Sequence, residues 1–498
     1  MTHLELPEQR VGPMLDQVTK SVRKQQVGKN IFFAKVGAQL GGRLLLAESS
    51  RYEDSRSLWN GMHDRYPLAI CQCLTAADVS VVLRCAVAAG LPVTVRGGGH
   101  NVAGLAVADG AVMIDLSLMR QVTVDPVARL AYAQGGCLLR DLDAAIAPHG
   151  LACPAGVVSH TGLGGLALGG GYGWLATKWG LTCDHIVSAE VVLADGSVVE
   201  ASDGPPGQHE DLLWALRGGG GNFGVVTRFT LRLRPVPDVY YWTSAYPLEA
   251  AGEALSAYRD FAGRQPADLH VVGSLKYAGE QAWIPAWLRR RPALSLSAAW
   301  FGEHDGASAA LAPLLAGVAP SAIRERQISY TELQALGDSS EPFGNRYFTN
   351  SCYLPDLSCE VIVKALESAR EICSPRSSID FEYLCGAISD IPSGSSAFPC
   401  RDAPYIYTAS AQWTDAAHDN ENMEWSRRSV DSLRPHHFGG TYVNYAQDEV
   451  SGDLSYIYGA IRYRQLGIIK GRYDPQNVFR HNKNIRPILN DATTGREG

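Results

Sequence analysis

The stretch Arg96-Gly-Gly-Gly-His100, followed by Asn101 and Gly104, decides the fold of this chain. It comes directly after residues 91–95, an apolar and β-branched run that predicts a buried strand. Glycine backbone can approach a phosphate closely, and consecutive N–H groups can form an anion-binding concavity. The spacing matches neither a dinucleotide fingerprint nor a P-loop, because the glycines are consecutive and no Lys-Ser or Lys-Thr follows. Taken alone, the stretch fits either a ligand loop or a tight turn with a surface histidine.

Two further glycine-rich stretches follow, and we name the three the first glycine loop (96–104), the second glycine passage (161–173) and the third glycine loop (217–224). Glycine is so frequent in the second glycine passage that we predict neither a helix nor an ordinary strand there. Together the three indicate one large ligand held by backbone amides, such as a dinucleotide with a pyrophosphate. His100 could then be a base, a metal ligand or a covalent attachment point. No cluster at metal-ligand spacing stands beside it, so we expect no metal site.

Composition narrows the class of protein. The chain has 498 residues, 46% of them hydrophobic and 19% charged, which fits two or three globular domains. A net charge of −7 without a long basic run argues against nucleic-acid binding, and no apolar run is long enough to predict a membrane span. Residues 1–10 lack the layout of a secretion signal, and 11 cysteines without regular spacing suggest reduced thiols. We therefore expect a cytoplasmic protein.

Local patterns place several elements around the glycine stretches. A hairpin is expected to pair residues 186–193 with 197–201, and alternation over 225–233 predicts a strand directly after the third glycine loop. Pro235 and Pro237 mark a domain boundary. The region 240–430 mixes strands and helices without glycine clusters, as expected of a substrate-facing sheet.

Six pieces of the chain, in this order, resemble one enzyme family: Arg96-Gly-Gly-Gly-His-Asn-Val-Ala-Gly104, Asp115-Leu-Ser117, 162–173, Gly180-Leu-Thr-Cys-Asp184, 217–226 and Tyr473-Asp-Pro-Gln-Asn-Val-Phe479. The family is that of the FAD-linked oxidases with the vanillyl-alcohol oxidase (PCMH) fold, in its berberine bridge enzyme-like branch. The resemblance implies an α+β fold. Its implied parts are a lead-in (1–65), a two-part PCMH-type FAD-binding domain (66–238), a substrate domain with an antiparallel sheet covered by helices (239–435), and a C-terminal segment that returns to the FAD-binding domain (436–498).

The resemblance also implies the residues that hold FAD. His100 is expected to be bonded covalently to the methyl carbon of the flavin's benzenoid ring, which can become an electrophile for a neutral imidazole. The other implied FAD contacts are Arg96, Gly97, Gly98, Gly99, Asn101, Gly104, Asp115, Leu116, Ser117, Gly156, Ser159, Thr161, Gly162, Gly164, Gly165, Leu168, Gly169, Gly170, Gly171, Gly173, Asp184, Ile186, Gly221, Asn222, Val225, Val226, Asn444, Tyr445 and Asn477.

Many relatives carry a second link, from a cysteine to the flavin, and Cys153-Pro-Ala-Gly156 is similar to that motif. Aligned on the glycines at 164 and 165, however, Val158 rather than Cys153 falls at the linking position. The form Gly156-Val-Val-Ser-His-Thr-Gly162 is similar to singly linked members such as the hydroxynicotine oxidases. We therefore predict one link, through His100, with a double link through Cys153 as the alternative.

Three residues are predicted to be catalytic from the resemblance. Tyr442-Val-Asn-Tyr445 matches the family's Tyr-x-Asn-Tyr motif, which implies tyrosines beside the flavin acting as a base or an orienting group. On a strand, Tyr442 and Tyr445 would face opposite sides, so both could face the flavin only where the strand ends or bulges. Asp390 falls where the plant berberine bridge enzyme has its glutamate base, and a solvated surface carboxylate is the alternative. Ordinary sheet aromatics are the alternative for the tyrosines.

The resemblance thus implies an FAD-dependent oxidase of a small-molecule alcohol, amine or phenolic secondary metabolite, with O2 as electron acceptor. A dehydrogenase of the same fold that excludes O2, or a flavin-binding protein without turnover, would share the same motifs. The sequence does not decide between a monomer and a homodimer, nor does it identify the substrate.

Overall fold

A computed structural model of the chain describes residues 11–204, 207–447 and 454–489, with backbone alone for residues 11–25. Residues 1–10, on which the expectation of no secretion signal depends, lie outside the described residues. The helices of the described residues are α1 (Val11–Leu40), α2 (Tyr52–Arg56), α3 (Ala76–Ala88), α4 (Leu139–Ile146), α5 (Leu163–Leu168), α6 (Ala176–Trp179), α7 (Glu210–Leu216), α8 (Leu248–Ala262), α9 (Ala307–Leu315), α10 (Tyr330–Ala335), α11 (Cys359–Arg370), α12 (Ala387–Asp390), α13 (Asp419–Asp431), α14 (Ser455–Tyr458) and α15 (Ala460–Tyr473).

The first sheet carries the first glycine loop. Its strands are β1 (Leu44–Leu45), β2 (Ala69–Gln72), β3 (Val93–Arg96) and β4 (Val112–Asp115), in the order β1-β2-β4-β3. The last three are parallel, and β1 pairs antiparallel with β2. Because β1 belongs to this sheet, part of the implied lead-in is joined to the domain that carries the first glycine loop. The predicted strand is confirmed as β3, in which Val93 and Thr94 are buried.

The second sheet lies beside it and is antiparallel. Its strands are β5 (Val122–Asp125), β6 (Leu130–Gln134), β8 (Ile186–Val192), β9 (Val198–Ser202) and β10 (Val225–Arg232), in the order β5-β6-β10-β8-β9. The predicted hairpin is confirmed, since β8 pairs antiparallel with β9. The predicted strand after the third glycine loop is confirmed as β10, which buries Phe229 and Leu231. Two short strands, β7 (Leu151–Ala152) and β11 (Arg234–Pro235), pair separately.

The third sheet is formed by strands between residues 239 and 413. Its strands are β12 (Val239–Pro247), β13 (Leu269–Tyr277), β14 (Pro292–Trp300), β15 (Ala322–Ile328), β16 (Arg346–Leu354), β17 (Ser378–Tyr383) and β18 (Tyr405–Trp413). All neighbours are antiparallel, in the order β15-β12-β14-β13-β17-β18-β16. Helices α8, α11 and α13 pack on one face over a core that includes Trp242, Tyr258 and Trp425. This is the predicted antiparallel sheet covered by helices.

The opposite face of the third sheet meets the glycine-rich half. His270 of β13 lies on that face, 2.9 Å from the Tyr172 hydroxyl and 2.6 Å from the Thr177 hydroxyl. Burial lowers the pKa of His270 to about 3, so the imidazole stays neutral in this contact. His270 therefore joins this face of the third sheet to Tyr172 of the second glycine passage and to Thr177 of α6.

The second glycine passage differs from its prediction, because residues 163–168 form helix α5. Leu163 and Ala167 are fully buried in the core beneath the glycine stretches, and this packing outweighs the low helix propensity of glycine. Gly164 is needed there for close approach, since a Cβ on it would lie 2.8 Å from the Gly135 carbonyl oxygen. Among the described residues, no helix is both long and apolar enough to cross a membrane.

Candidate functional site

The first glycine loop and the Asp115-Leu-Ser117 turn leave the first sheet at one edge. Arg96 at the end of β3 pairs with Asp115 at the end of β4, and parallel strands present their carboxyl ends on the same side. The Asp115 carboxylate accepts hydrogen bonds from the Ser117 N–H (3.0 Å) and hydroxyl (2.9 Å). This turn fixes the backbone next to the first glycine loop.

The three glycine stretches touch one another. A Cβ on Gly98 of the first glycine loop would lie 2.5 Å from the Cα and N of Gly162, so the two backbones meet where a side chain cannot fit. The Leu168 carbonyl oxygen, near the end of α5, accepts hydrogen bonds from the N–H groups of Gly218 (3.0 Å) and Gly220 (2.9 Å). The structure thus joins the three stretches through their backbones into one surface.

Two observations test whether this surface fits FAD. A Cβ on Gly165 or Gly221 would meet nothing within 4 Å, and neither residue has a positive φ, so the protein itself does not require glycine there. Asn477, an implied FAD contact, has a buried Oδ1 without a hydrogen-bond partner among the described residues. Open space above two glycines and an unused acceptor fit a bulky polar group. The backbone of the glycine stretches and Asn477 would hold it.

Several residues that are implied to contact FAD use their side chains for contacts within the protein instead. The Asp184 carboxylate forms a buried ion pair with Arg401, whose Nη1 lies 3.2 Å from Asp184 Oδ2. Asn222 Oδ1 accepts from the Ile485 N–H (3.0 Å), and its amide donates to the carbonyls of Gly219 and Lys483. Three more implied contacts are buried in β8 and β10: Ile186, Val225 and Val226. Their side chains position the backbone of the site.

His100 follows the three consecutive glycines of the first glycine loop and lies among aromatic rings. Its ring stacks on Trp59 at a centroid distance of 4.2 Å, and Trp59 in turn stacks on Tyr347 at 3.6 Å. Its Nε2 lies 3.2 Å from Nδ1 of His160. Loss of hydration and the neighbouring His160 lower the pKa of His100 to about 3. His100 is therefore a neutral imidazole at physiological pH, the form that carries a nucleophilic lone pair.

The Tyr442–Tyr445 motif is a turn rather than a strand. The Tyr445 N–H donates to the Tyr442 carbonyl at 2.9 Å, and the turn brings the two rings to a centroid distance of 4.8 Å. Both tyrosines thereby lie on the same side, which a continuous strand would have prevented. The Tyr442 oxygen accepts from the Gly171 N–H (2.7 Å) and the Asn444 amide (2.9 Å), so Tyr442 fixes the end of the second glycine passage.

Tyr445 points to a carboxyl group that the sequence analysis did not select. Its hydroxyl donates to Glu382 Oε1 at 2.9 Å, whereas Glu382 Oε2 is buried without a partner among the described residues. Burial and the nearby Asp380 raise the pKa of Glu382 to about 8. Asp380 accepts hydrogen bonds from Ser274 (2.5 Å) and Ser378 (2.7 Å) on the same sheet face.

Asp390 makes no contact with Tyr445, Glu382 or Asp380 among those that the structure shows. It is the exposed last residue of α12, which gives it the position of a solvated surface carboxylate. The contact with Tyr445 comes from Glu382 because β17 runs along the sheet face that meets the glycine-rich half. Within β17, Ser378, Asp380 and Glu382 alternate with Ile379 and Phe381, which is a readable signal of a polar face.

Cys153 is fully buried and its carbonyl accepts a hydrogen bond from the Tyr330 hydroxyl. Burial raises the pKa of its thiol far above the ordinary range, so a reactive thiolate is disfavoured. Within the described ranges, no group of three His, Cys, Asp or Glu side chains is placed to hold a metal ion.

Comparison with known proteins places the chain in a family. Two family models match it, one described as "FAD binding domain" over residues 67–202 and one as "Berberine and berberine like" over residues 441–486. The chain is 31% identical over 466 residues to (R)-6-hydroxynicotine oxidase of Paenarthrobacter nicotinovorans, covering 90% of this chain and 97% of that protein. It is 30% identical to an FAD-linked oxidoreductase of Dictyostelium discoideum, covering 77% of this chain and 81% of that protein.

Solved structures agree. 6-Hydroxy-D-nicotine oxidase from Arthrobacter nicotinovorans has a TM-score of 0.78 at 26% identity, covering 90% of this chain and 98% of that chain. The fold is shared with BBE-like 1 of Physcomitrella patens, with a TM-score of 0.82 at 24% identity over 92% of this chain and 100% of that chain. The chain therefore belongs to the FAD-linked oxidoreductases of the vanillyl-alcohol oxidase (PCMH) fold, in their berberine bridge enzyme-like branch.

Proposed function

We propose that the protein is an oxidase that takes a hydride from a small alcohol, amine or phenolic secondary metabolite, using FAD bonded covalently to His100 and dioxygen as the electron acceptor. Relatives named (R)-6-hydroxynicotine oxidase and glucooligosaccharide oxidase, the latter from Sarocladium strictum, support small-molecule oxidation. When bound, FAD supplies the two-electron acceptor for this reaction.

The contact between Tyr445 and Glu382 carries the proposal. Removal of a hydride from an alcohol, amine or phenol requires that a proton also leave the substrate's oxygen or nitrogen. Glu382 Oε2 is a buried, unpartnered acceptor, and the Tyr445 hydroxyl holds the other carboxylate oxygen. Because its pKa is raised to about 8, Glu382 is a strong enough base to accept such a proton near neutral pH. We assign proton removal to Glu382 and orientation of its carboxylate to Tyr445.

The setting of His100 supports the covalent link. The imidazole is neutral, and stacking on Trp59 restricts its motion. Cys153 is enclosed in the core as a thiol, which supports a single link through His100.

Acid precipitation of the purified protein tests the link. We expect the precipitate to stay yellow, with flavin fluorescence on the denatured chain in a gel. H100A should bind FAD that acid releases. Release of all flavin from the unaltered protein would overturn the covalent link.

A substrate screen tests the reaction. Candidates of the two kinds named among the relatives, hydroxynicotine and glucooligosaccharides, are added without oxygen, together with other amines, alcohols and phenols. Bleaching of the flavin absorbance identifies a substrate, and air should then restore the yellow colour within seconds. Slow reoxidation would indicate a dehydrogenase instead, and absence of bleaching by every compound would favour a flavin-binding protein without turnover.

A further inference from the structure

The face of the third sheet that meets the glycine stretches carries a continuous polar row across five strands. Asp380 of β17 lies directly opposite Ser274 of β13 and Thr408 of β18, and directly opposite residues of antiparallel strands point to the same side of a sheet. The row continues with Ser351 of β16 and Ser295 of β14. One carboxylate therefore lies at the centre of a row whose other four side chains are hydroxyls.

Asp380 has two hydroxyl donors but no cation beside it. Its two carboxylate oxygens accept hydrogen bonds from the hydroxyls of Ser274 (2.5 Å) and Ser378 (2.7 Å). A carboxylate oxygen has two lone pairs, so each oxygen of Asp380 keeps one for a further donor. In the part of the chain that the structure describes, no Lys, Arg or His nitrogen lies within 4.0 Å of this carboxylate.

Two more carboxyl groups lie close to Asp380. Glu382 is two residues further along β17 and on the same face. Glu341 approaches from the loop before β16, where its carbonyl accepts a hydrogen bond from Trp59 Nε1 at 3.0 Å. Burial, and after it the charge of Asp380, raises the pKa of each glutamate to about 8. The opposing charge is that of Lys276, an exposed residue on the same face of β13, which lowers the pKa of Glu341.

A buried hydroxyl beside Asp380 also indicates a ligand. Thr408 is 3% exposed, and its Oγ1 has no hydrogen-bond partner among the described residues. Because a buried hydroxyl without a partner is unfavourable, Thr408 Oγ1 is expected to meet a polar group of a molecule bound on this face. A donor that bridges Thr408 and the free lone pairs of Asp380 would satisfy both.

We propose that Asp380 binds an ammonium group of the substrate and so selects cationic compounds, whereas Glu382 takes the proton from a hydroxyl group at the oxidised carbon. The inference rests on the proposed function and names its substrate class, an alcohol that carries a separate protonated amine. The hydroxyl proton goes to Glu382, the C–H bond breaks as its electron pair leaves with the hydride to the flavin, and a carbonyl forms. The ammonium group keeps its protons throughout.

The spacing along β17 sets the separation of the two groups. Residues of a strand rise about 3.4 Å each, so Asp380 and Glu382 are about 7 Å apart along the strand. This distance is too long for an amine bonded to the oxidised carbon itself. A neutral polyol would fit the hydroxyl row but would leave the charge of Asp380 without a counter-ion once the site is closed to water. An ammonium group supplies both the charge and three donors.

Two probes of nearly the same shape separate charge from fit. para-(Aminomethyl)benzyl alcohol is a cation at neutral pH, with its nitrogen and its hydroxyl at opposite ends of one ring. para-Benzenedimethanol carries a neutral hydroxyl in place of the ammonium. Binding of each is measured by calorimetry on holoenzyme whose flavin has been reduced, in the absence of oxygen, so that neither probe can be oxidised.

The variants are D380N, K276M and, as a matched control at an exposed aspartate, D305N. We expect the unaltered protein to bind the cationic probe on the order of 10- to 100-fold more tightly than the neutral one. D380N should remove most of this preference and leave binding of the neutral probe nearly unchanged, because asparagine keeps the shape of aspartate. K276M should strengthen binding of the cationic probe alone, since it removes a repelling charge, and D305N should match the unaltered protein. The thermal unfolding midpoint shows whether each variant folds.

Equal affinities for the two probes, a preference that D380N retains, or failure of the cationic probe to bind at millimolar concentration would each overturn the inference. The oxidised holoenzyme separates this inference from the proposed function. Oxidation of the neutral probe as efficiently as the cationic one would overturn the inference and leave the oxidase intact. Asp380-dependent binding of the cationic probe, with no compound of the screen bleaching the flavin, would support the cation site and overturn the oxidase.

Discussion

Replacement of Glu382 by glutamine separates the base from the rest of the site. Glutamine has the same shape and keeps an oxygen that can accept the 2.9 Å hydrogen bond from Tyr445, but it cannot take up a proton. In the unaltered protein the pKa of Glu382 is about 8, so about one tenth of the molecules carry the carboxylate at pH 7. The rate of flavin reduction should therefore rise about tenfold per pH unit below pH 8 and level off above it.

E382Q should lower that rate by about 10²- to 10⁴-fold, the usual contribution of a general base, and abolish the rise with pH. The assay is stopped-flow bleaching of the flavin without oxygen, from pH 6 to pH 10, with the compound that bleaches it fastest in the screen.

Two further variants test the direction in which neighbouring groups shift the pKa of Glu382. The charge of Asp380 raises the pKa of Glu382, whereas the hydrogen bond from Tyr445 lowers it. D380N should therefore move the midpoint to lower pH, and Y445F should move it to higher pH. An E382Q protein that keeps the pH profile of the unaltered enzyme would refute Glu382 as the base.

Two other predictions concern the glycine stretches and the core. G98A should lower stability by about 1–3 kcal/mol, because its Cβ would lie 2.5 Å from Gly162. G165A, with nothing within 4 Å of its Cβ, should keep its stability but bind less FAD. Thermal unfolding and flavin content distinguish the two variants, and equal effects would contradict the proposal that the glycine stretches hold FAD. Asp143 is buried with both oxygens unpartnered among the described residues, and burial raises its pKa to about 7. Because this folded-state pKa lies above the unfolded value near 3.9, the free energy of unfolding should fall by up to about 4 kcal/mol as pH rises from about 4 to 7. D143N should remove this fall when the free energy of unfolding is measured with denaturant at several pH values. If D143N shows the same dependence on pH as the unaltered protein, Asp143 is not its cause.

Much of the fold could be predicted from local sequence. The strand before the first glycine loop and the hairpin β8–β9 follow from apolar runs and turn residues, and the structure has both. Helix α5 could not be predicted, because burial of Leu163 and Ala167 decides it rather than propensity.

The site was less predictable for a different reason. Trp59 meets the Glu341 carbonyl, and Tyr445 meets Glu382, across long separations in sequence. The alternation in β17 shows a polar face, but only the pairing of β17 with β13 shows that this face meets the part of the chain that carries the glycine stretches. His160 carries no local signal beyond its place before the second glycine passage.

The contacts between the C-terminal segment and the third glycine loop have a consequence for folding during synthesis. The third glycine loop is made early, yet the Asn222 side chain within it is satisfied by Lys483 and Ile485, and its carbonyl by the Lys470 ammonium at 2.6 Å. The buried ammonium also depends on Asp474, 2.6 Å away. A growing chain therefore cannot complete this loop until residues 470–485 have left the ribosome. The third glycine loop is translated long before the residues that complete its hydrogen bonds.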